Sequence, residues 1–186
     1  MLFQVIHCHP LTDSYNDVIF RVIVETLKQH GHEVISTDLY REGFDPALTP
    51  AERAGYFTVP YDVGEIARYA EALRRAEALV FCFPQWWFSM PAMLKGYFDR
   101  VWAPGGIRPL LTHVKLFGVV TTYGAPWWVA RLVVGDPARK VLMRALKPMC
   151  GSRVRSFYLA HYAMDRSTPR SREAFLMRVR RRIAKL

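Results

Sequence analysis

The aromatic turn after one apolar run has the residue types to hold a flat ligand. The run from Ala78 to Phe83 is β-like, and five candidate site residues follow it: Pro84, Gln85, Trp86, Trp87 and Phe88. Aromatic faces can stack on a planar group while backbone N–H groups of the turn donate hydrogen bonds to it. The alternative is that these side chains only fill core. Neither strand nor helix periodicity buries three consecutive side chains in one core, so at least one of Trp86, Trp87 and Phe88 would point away from it. A ligand or a second subunit would then cover that side chain.

A polar loop near the N-terminus could hold an anionic group. Residues His7 to Asp13 precede a helical pattern from Ser14 to Gln29, and hydroxyl groups lie close to the start of that helix. A helix N-terminus carries unpaired N–H groups and a partial positive charge, which suit a phosphate; the alternative is that Ser14 is a plain N-cap. We expect no metal site from the histidines at 7 and 9. The sequence has neither the glycine-rich dinucleotide fingerprint nor a P-loop.

A third loop again pairs small polar residues with aromatic ones. Residues Thr121 to Gly124 follow an apolar run, and their hydroxyl and N–H groups could bond the polar edge of a heterocycle. Trp127 and Trp128 come next and either extend the ligand site or anchor a subunit interface, where tryptophan is enriched. A site built at an interface would satisfy both interpretations.

Five apolar or alternating segments have the pattern of strands, and helical patterns separate them. The predicted strands are Leu2–Ile6, Glu33–Asp38, Ala78–Phe83, Val114–Thr121 and Val154–Leu159. The predicted helices are Ser14–Gln29, Glu65–Ala76, Ala92–Val101, Pro137–Lys147 and Arg170–Lys185, with a short helix after Thr49 inside an excursion from Leu39 to Tyr61.

This alternation predicts an α/β fold. Strands separated by helices need crossover connections, which makes the sheet mostly parallel. We predict a flavodoxin-like three-layer sandwich with a five-stranded parallel sheet in the order 2-1-3-4-5, formed by a single domain over residues 1–186. In that order the loops after the first, third and fourth strands meet at one edge, so the three candidate loops would share one ligand.

The composition is that of a globular protein. Of the 186 residues, 51% are hydrophobic and 23% charged, which is ordinary for a folded domain. No apolar run approaches the ~20 residues of a membrane-spanning helix, and the N-terminus lacks the features of a signal peptide, so we expect a cytoplasmic location. Cys8, Cys82 and Cys150 have no paired spacing, which indicates buried thiols rather than a zinc site or disulfides.

The net charge of +10 is concentrated near the C-terminus. Basic residues crowd the last predicted helix, whose apolar residues Phe175, Val179 and Ile183 recur at helical spacing and would pack it on the body. The cationic face is either solvated or docks on an anionic lipid, protein or nucleic-acid partner. The interleaved bases and aromatics of an RNA-binding sheet are absent, and we expect no nucleic-acid partner.

Several motifs, in order along the chain, resemble the flavin-dependent NAD(P)H:quinone oxidoreductases of the diaphorase type. They are His7-x-His9-Pro10, Ser14-Tyr15-Asn16, Phe83-Pro84 with Trp87, Pro91-x-x-Leu94-Lys95-Gly96-Tyr97-Phe98-Asp99-Arg100-Val101, and Thr121-Thr122-x-Gly124. The resemblance implies a flavodoxin-like homodimer that binds FMN or FAD and uses NADH or NADPH as electron donor. It implies further that Leu94 and Phe98 are helix core and that Asp99 with Arg100 pairs at the dimer contact. Unpaired apolar surface around Trp86, Trp102, Trp127 and Trp128 is expected to form the rest of that contact.

The resemblance also assigns roles to residues of the three loops. It implies that His9, Ser14, Tyr15 and Asn16 bind the flavin and its phosphates, that Pro84, Gln85, Trp86, Trp87 and Phe88 line the ring, and that Thr121, Thr122, Tyr123 and Gly124 contact its pyrimidine side. The chain departs from the family pattern in one functional respect. The relay of a tyrosine and a histidine that follows the third loop in similar animal enzymes has no counterpart between Ala125 and Lys140. Tyr123, which replaces a glycine, is then the candidate proton donor.

The resemblance implies a ping-pong oxidoreductase. NAD(P)H would deliver hydride and leave, and a quinone or another electron-poor aromatic would then take two electrons at the same place. The alternative is an ancillary flavoprotein that docks on a membrane transporter through its basic final helix. A one-electron carrier fits less well, because the resemblance implies an acidic face for such carriers and this chain is cationic.

Overall fold

The chain forms a parallel sheet of the predicted order. The computed structural model describes residues 1–58, 62, 64–102, 111–151 and 153–186. Within these ranges the strands are β1 (Leu2–His7), β2 (Glu33–Asp38), β3 (Ala78–Gln85), β4 (Leu116–Tyr123) and β5 (Arg155–His161). All neighbours pair in parallel, in the order β2-β1-β3-β4-β5. The predicted flavodoxin-like topology is confirmed.

Helices cover both faces of this sheet. They are α1 (Tyr15–Gln29), α2 (Pro50–Ala54), α3 (Ala67–Arg75), α4 (Ala92–Val101), α5 (Pro137–Lys140) and α6 (Pro169–Ile183). Short 3₁₀ turns at Gly64–Ile66, Lys147–Cys150 and Met164–Arg166 and π-helical turns at Val129–Val133 and Val141–Leu146 complete the described helical structure. In this described part of the chain no helix combines the length and the apolar composition needed to cross a bilayer.

Most element boundaries lie within two residues of those that the sequence patterns predict. The short helix after Thr49 forms as predicted, and a reciprocal pair of hydrogen bonds with Glu52 caps it. Strands β3, β4 and β5 each run two residues beyond the predicted end, and the predicted helix Pro137–Lys147 is α-helical only in its first turn. The last residues of the predicted excursion, 59–61, lie outside the described residues.

Two apolar clusters pack on opposite faces of the sheet. One joins α1 and α6 to residues such as Phe3, Val80 and Val120, and it buries the predicted apolar stripe of α6. The other joins α3 and α4 to the alternate strand residues, and Leu94 and Phe98 lie in it as expected. All three cysteine thiols are buried and unpaired, which confirms the expectation for them.

Two residues expected at a subunit contact are instead inside the chain. Arg100 is buried, and its guanidinium donates to the Glu52 carboxylate at 2.8 Å and to the Asp45 carbonyl oxygen at 2.5 Å. Trp102 is buried against Phe98, with ring centroids 5.2 Å apart. The excursion between β2 and α3 supplies the partners of Arg100. The expectation that these side chains form a dimer contact is therefore wrong.

Candidate functional site

The three predicted loops line one cavity of about 490 Å³ at the carboxyl ends of the strands. Its lining includes ten predicted residues: His9, Ser14, Tyr15, Asn16, Pro84, Gln85, Trp86, Trp87, Thr122 and Gly124. A smaller space of about 180 Å³ shares Gln85, Trp87 and Gly124 with it and adds the predicted Phe88 and Tyr123. The strand order produces this convergence, because parallel strands end at the same edge.

The N-terminus of α1 forms one end of this cavity. Ser14 is the N-cap of α1, and its Oγ accepts a hydrogen bond from the Asp17 N–H at 3.1 Å. Tyr15 donates its hydroxyl to the Arg172 carbonyl oxygen at 2.7 Å and so connects α1 to α6. The Asn16 amide donates to the Thr122 Oγ1 at 3.0 Å, which connects the first loop to β4. His9 sits at the rim, with its ring centroid 5.9 Å from that of Trp86.

A buried cluster of charged side chains lies next to the first loop and the N-terminus of α1. His7, Asp17 and Asp38 place potential ligand atoms within 4.8 Å of one another. Arg41 donates to Asp17 at 2.9 Å and pairs with Asp38 at 3.3 Å, and Arg21 pairs with Asp17 at 2.8 Å. Burial lowers the pKa of His7. Two guanidinium groups thus balance two carboxylates beneath the N-terminus of α1, so the carboxylates present no net negative charge to an anion bound above them.

The aromatic turn is a strained hairpin. Trp86 and Ser89 exchange two backbone hydrogen bonds of 3.1 and 3.0 Å, and Trp87 and Phe88 between them have φ angles of 52° and 58°. Left-handed backbone costs an L-residue about 1–2 kcal/mol, and such strain is concentrated at functional sites. The Trp87 side chain is 96% exposed. Within the described chain, therefore, nothing covers this ring, which agrees with the expectation that one aromatic of the three needs an outside partner.

The first three residues of the predicted third loop, Thr121 to Tyr123, are the end of β4. Thr122 faces the cavity, whereas Thr121 is fully buried and donates its hydroxyl to the Phe83 carbonyl oxygen at 2.7 Å. Gly124 lies at the cavity wall, where a Cβ would come within 2.7 Å of the Asp165 carboxylate. The predicted Thr121 contact with a ligand therefore cannot come from its buried side chain.

The Tyr123 hydroxyl group is bound to two side chains outside the lining of the main cavity. The hydroxyl donates to the Asp136 carboxylate at 2.5 Å and lies 2.7 Å from the Tyr158 hydroxyl. Burial raises the pKa of Tyr123, and burial likewise raises that of Tyr158. Because the Tyr123 hydroxyl donates its hydrogen bond to a buried carboxylate, this arrangement argues against the predicted role of Tyr123 as a proton donor to the quinone.

Sequence reasoning missed the contribution of the loop after β5. Met164 and Asp165 line the main cavity. In β5, the Tyr158 hydroxyl accepts a hydrogen bond from the amide of Gln85, which lines that cavity, at 3.0 Å. A signal was available, because β5 lies next to β4 and ends at the same edge. The role of Asp136 behind Tyr123 has no comparable local signal.

The fold and the cavity define the class of protein. A family model for the flavodoxin-like fold matches residues 1–185, so the chain belongs to that family.

Relatives within the class are named as oxidoreductases. An uncharacterized NAD(P)H oxidoreductase, YcaK of Escherichia coli (strain K12), is 38% identical over 99 residues, which cover 52% of this chain and 50% of that protein. The NAD(P)H dehydrogenase (quinone) 1 of Rattus norvegicus is 32% identical over 117 residues, 54% of this chain and 43% of that protein. The matches thus span half or less of the length of these relatives.

Solved structures share the whole fold. The NAD(P)H:quinone oxidoreductase from Methanothermobacter marburgensis superposes with a TM-score of 0.82 at 24% identity, covering 100% of this chain and 96% of that one. An FMN-dependent NADH-azoreductase from Bacillus anthracis str. Ames Ancestor, solved in complex with FMN, has a TM-score of 0.74 at 14% identity, with coverage of 99% and 98%. At these identities the likeness establishes the fold.

Proposed function

We propose that this chain is a flavin-dependent NAD(P)H oxidoreductase that passes two electrons to a quinone or a similar electron-poor aromatic. The observation that carries the proposal is the convergence of a helix N-terminus, an exposed aromatic turn and a polar strand end on one cavity. The names of the relatives support the choice of donor and acceptor.

The residues present fit a planar group with a hydroxylated, phosphorylated tail. The Asn16 Oδ1 and the Gln85 Oε1 are buried and have no hydrogen-bond partner among the described residues. Both residues line the cavity, so a ligand N–H or hydroxyl would satisfy these acceptors. The N–H groups of Trp87 and Phe88 donate to no other described residue, whereas the Trp86 N–H is used by Ser89. Either FMN or FAD matches this donor and acceptor set.

Each part of the cavity then has a distinct task. The N-terminus of α1, capped at Ser14, binds phosphate through backbone N–H groups. The Trp87 ring covers the aromatic plane and excludes water from it. Free N–H groups of the turn stabilise negative charge at the edge of the ring system. A bound flavin supplies the hydride and electron chemistry. Because one slot serves donor and acceptor, NAD(P)H and the quinone enter it in turn, as in a ping-pong mechanism.

Purified protein tests this proposal directly. We expect absorbance bands of an oxidised flavin, or their appearance after FMN or FAD is added, and we expect extraction with mass measurement to identify the cofactor. We further expect quinone-dependent oxidation of NADPH. A colourless protein that binds neither flavin contradicts the assignment. Flavin without turnover would favour the docking alternative, for which the exposed Arg178, Arg180 and Arg181 of α6 offer a cationic face.

We propose also that the chain works as a homodimer. Trp86, Trp127 and Trp128 are about half exposed in the isolated chain, and large aromatics of this kind are typical interface anchors. We expect the protein to sediment at about twice its mass of 21.5 kDa. Replacing both Trp127 and Trp128 with serine should shift it to the monomer, because apolar burial between the subunits is lost.

The matched control for this experiment is Phe57→Ser. Phe57 is also exposed but lies in the turn after α2 and is not one of the three tryptophans proposed as anchors, so this variant should remain dimeric. A wild-type protein that is monomeric at micromolar concentration would contradict the dimer.

A further inference from the structure

A second cavity, of about 440 Å³, is surrounded by positive charge. Four cationic side chains line it: Arg131, Arg139, Lys140 and Arg144. Asp136 is the carboxylate in its lining. We refer to this space as the cationic cavity.

The four cations of the cationic cavity have no anionic partner within the described chain. None of them forms an ion pair or a hydrogen bond there with another described residue, whereas the arginines near α1 are paired with carboxylates. Arg139 alone has a different partner, the Tyr158 ring, whose centroid lies 5.3 Å from the guanidinium carbon. Gathering like charges around one space is unfavourable unless an anion balances them. The cavity therefore has the charge of a site for a polyanion.

A tight chain reversal brings the four cationic side chains of the cationic cavity together. Gly135 and Asp136 both have left-handed backbone, with φ angles of 79° and 52°, and the Asp136 N–H donates to the Ala130 carbonyl oxygen at 2.8 Å. The reversal brings Arg131, in the preceding π-helical turn, to the same cavity as Lys140 and Arg144. The hydrogen bond from the Tyr123 hydroxyl to Asp136 anchors it.

That anchor also connects the cationic cavity to the candidate flavin site. Tyr123 lines the smaller space beside Trp87, and Asp136 lines the cationic cavity. A single hydrogen bond, from the Tyr123 hydroxyl to Asp136, therefore links the wall of the smaller space to the wall of the cationic cavity. The Asp136 Oδ2 is buried and has no partner among the described residues, so it is an acceptor available to a hydroxyl group.

We propose that the cationic cavity binds the phosphorylated ribose of the nicotinamide donor and makes NADPH the preferred donor. The proposal rests on the oxidoreductase function proposed above. Arginine and lysine side chains recognise the 2′-phosphate that distinguishes NADPH from NADH, and the free oxygen of Asp136 accepts from a ribose hydroxyl. Tyr123 acts as a positioning residue, since its hydroxyl holds Asp136 in place.

The test variant carries both Arg131→Gln and Arg144→Gln. Both side chains are exposed and unpaired within the described chain, so their loss should leave folding intact. We expect the KM for NADPH to rise at least about tenfold, since charge-assisted phosphate contacts are lost, with kcat changed less than about twofold. The KM for NADH should change less than about threefold. Calorimetric titration with 2′,5′-ADP should show a similar tenfold loss of affinity, and 5′-ADP a smaller one.

The matched control removes the same charge from α6 through Arg180→Gln with Arg181→Gln. These two arginines are exposed and lie outside the lining of the cationic cavity. We expect this control to change the KM for NADPH and the affinity for 2′,5′-ADP by less than about twofold.

The outcomes separate this inference from the proposed function. A wild-type protein that prefers NADH, an unchanged affinity of the test variant for 2′,5′-ADP, or an equal loss in the α6 control would overturn the cavity assignment while NAD(P)H turnover stands. Binding of 2′,5′-ADP that depends on Arg131 and Arg144, in a protein that holds no flavin, would support the anion site and contradict the oxidoreductase.

Discussion

Replacing Gly96 with alanine is expected to lower the free energy of unfolding by about 2 kcal/mol or more. A Cβ at this position of α4 would lie 2.2 Å from the Pro46 carbonyl oxygen and 2.5 Å from the Pro46 Cα. Both are backbone atoms, so no side chain can rotate to relieve the overlap, and overpacking of this kind costs about 1–3 kcal/mol and occasionally more. Alanine gains about 1 kcal/mol over glycine in a helix, which is too little to offset a displaced backbone segment.

Urea unfolding followed by circular dichroism measures this effect, and Gly55→Ala is its control. A Cβ at Gly55 would lie 3.7 Å from the Ala51 carbonyl oxygen, an ordinary contact, and the φ angle of −85° suits alanine. The control should stay within about 0.5 kcal/mol of the wild type. Equal unfolding midpoints for Gly96→Ala and the wild type would show that α4 does not approach the Pro46 segment this closely.

Replacing Trp87 with glycine is expected to change stability and flavin affinity in opposite directions. Glycine removes the left-handed strain at a φ angle of 52°, and after its own entropic cost the gain in unfolding free energy is about 0.5 kcal/mol. The lost ring exposes no core, because it is 96% exposed. Loss of stacking on a planar ligand costs about 1–3 kcal/mol, so the Kd for FMN should rise at least about tenfold.

Quenching of flavin fluorescence on titration with the protein measures this affinity. Phe88→Gly relieves the same kind of backbone strain in the same turn, but Phe88 lines only the smaller space. We expect this comparison variant to keep its FMN affinity within about threefold. If Trp87→Gly binds FMN as tightly as the wild type, the aromatic turn has another purpose, such as contact with a second subunit.

The end of β3 shows which features a local sequence pattern predicts and which depend on the tertiary structure. The sequence pattern predicts that β3 ends before Pro84, because proline cannot donate to a sheet ladder. The structure continues β3 to Gln85, paired with β4. The ladder with β1 stops at Cys82, and the Cys82 carbonyl oxygen accepts from Cys8, so Pro84 faces the side where β1 no longer runs. The missing N–H therefore costs no hydrogen bond, which the sequence pattern of one strand could not reveal.

The sequence by itself determined the order of strands and helices, the sheet topology and the meeting of three loops at one edge. The order of elements follows from hydrophobic periodicity, which is local. The sheet topology follows from the strand order common to flavodoxin-like folds, and the meeting of the loops from the rule that parallel strands end together. Only the tertiary structure decided that Trp102 and Arg100 are internal and that the Tyr123 hydroxyl donates to Asp136. It also decided that four cations without an anionic partner among the described residues surround a second cavity. Such contacts depend on how side chains distant in sequence pack around one another, and periodicity carries no information about that packing.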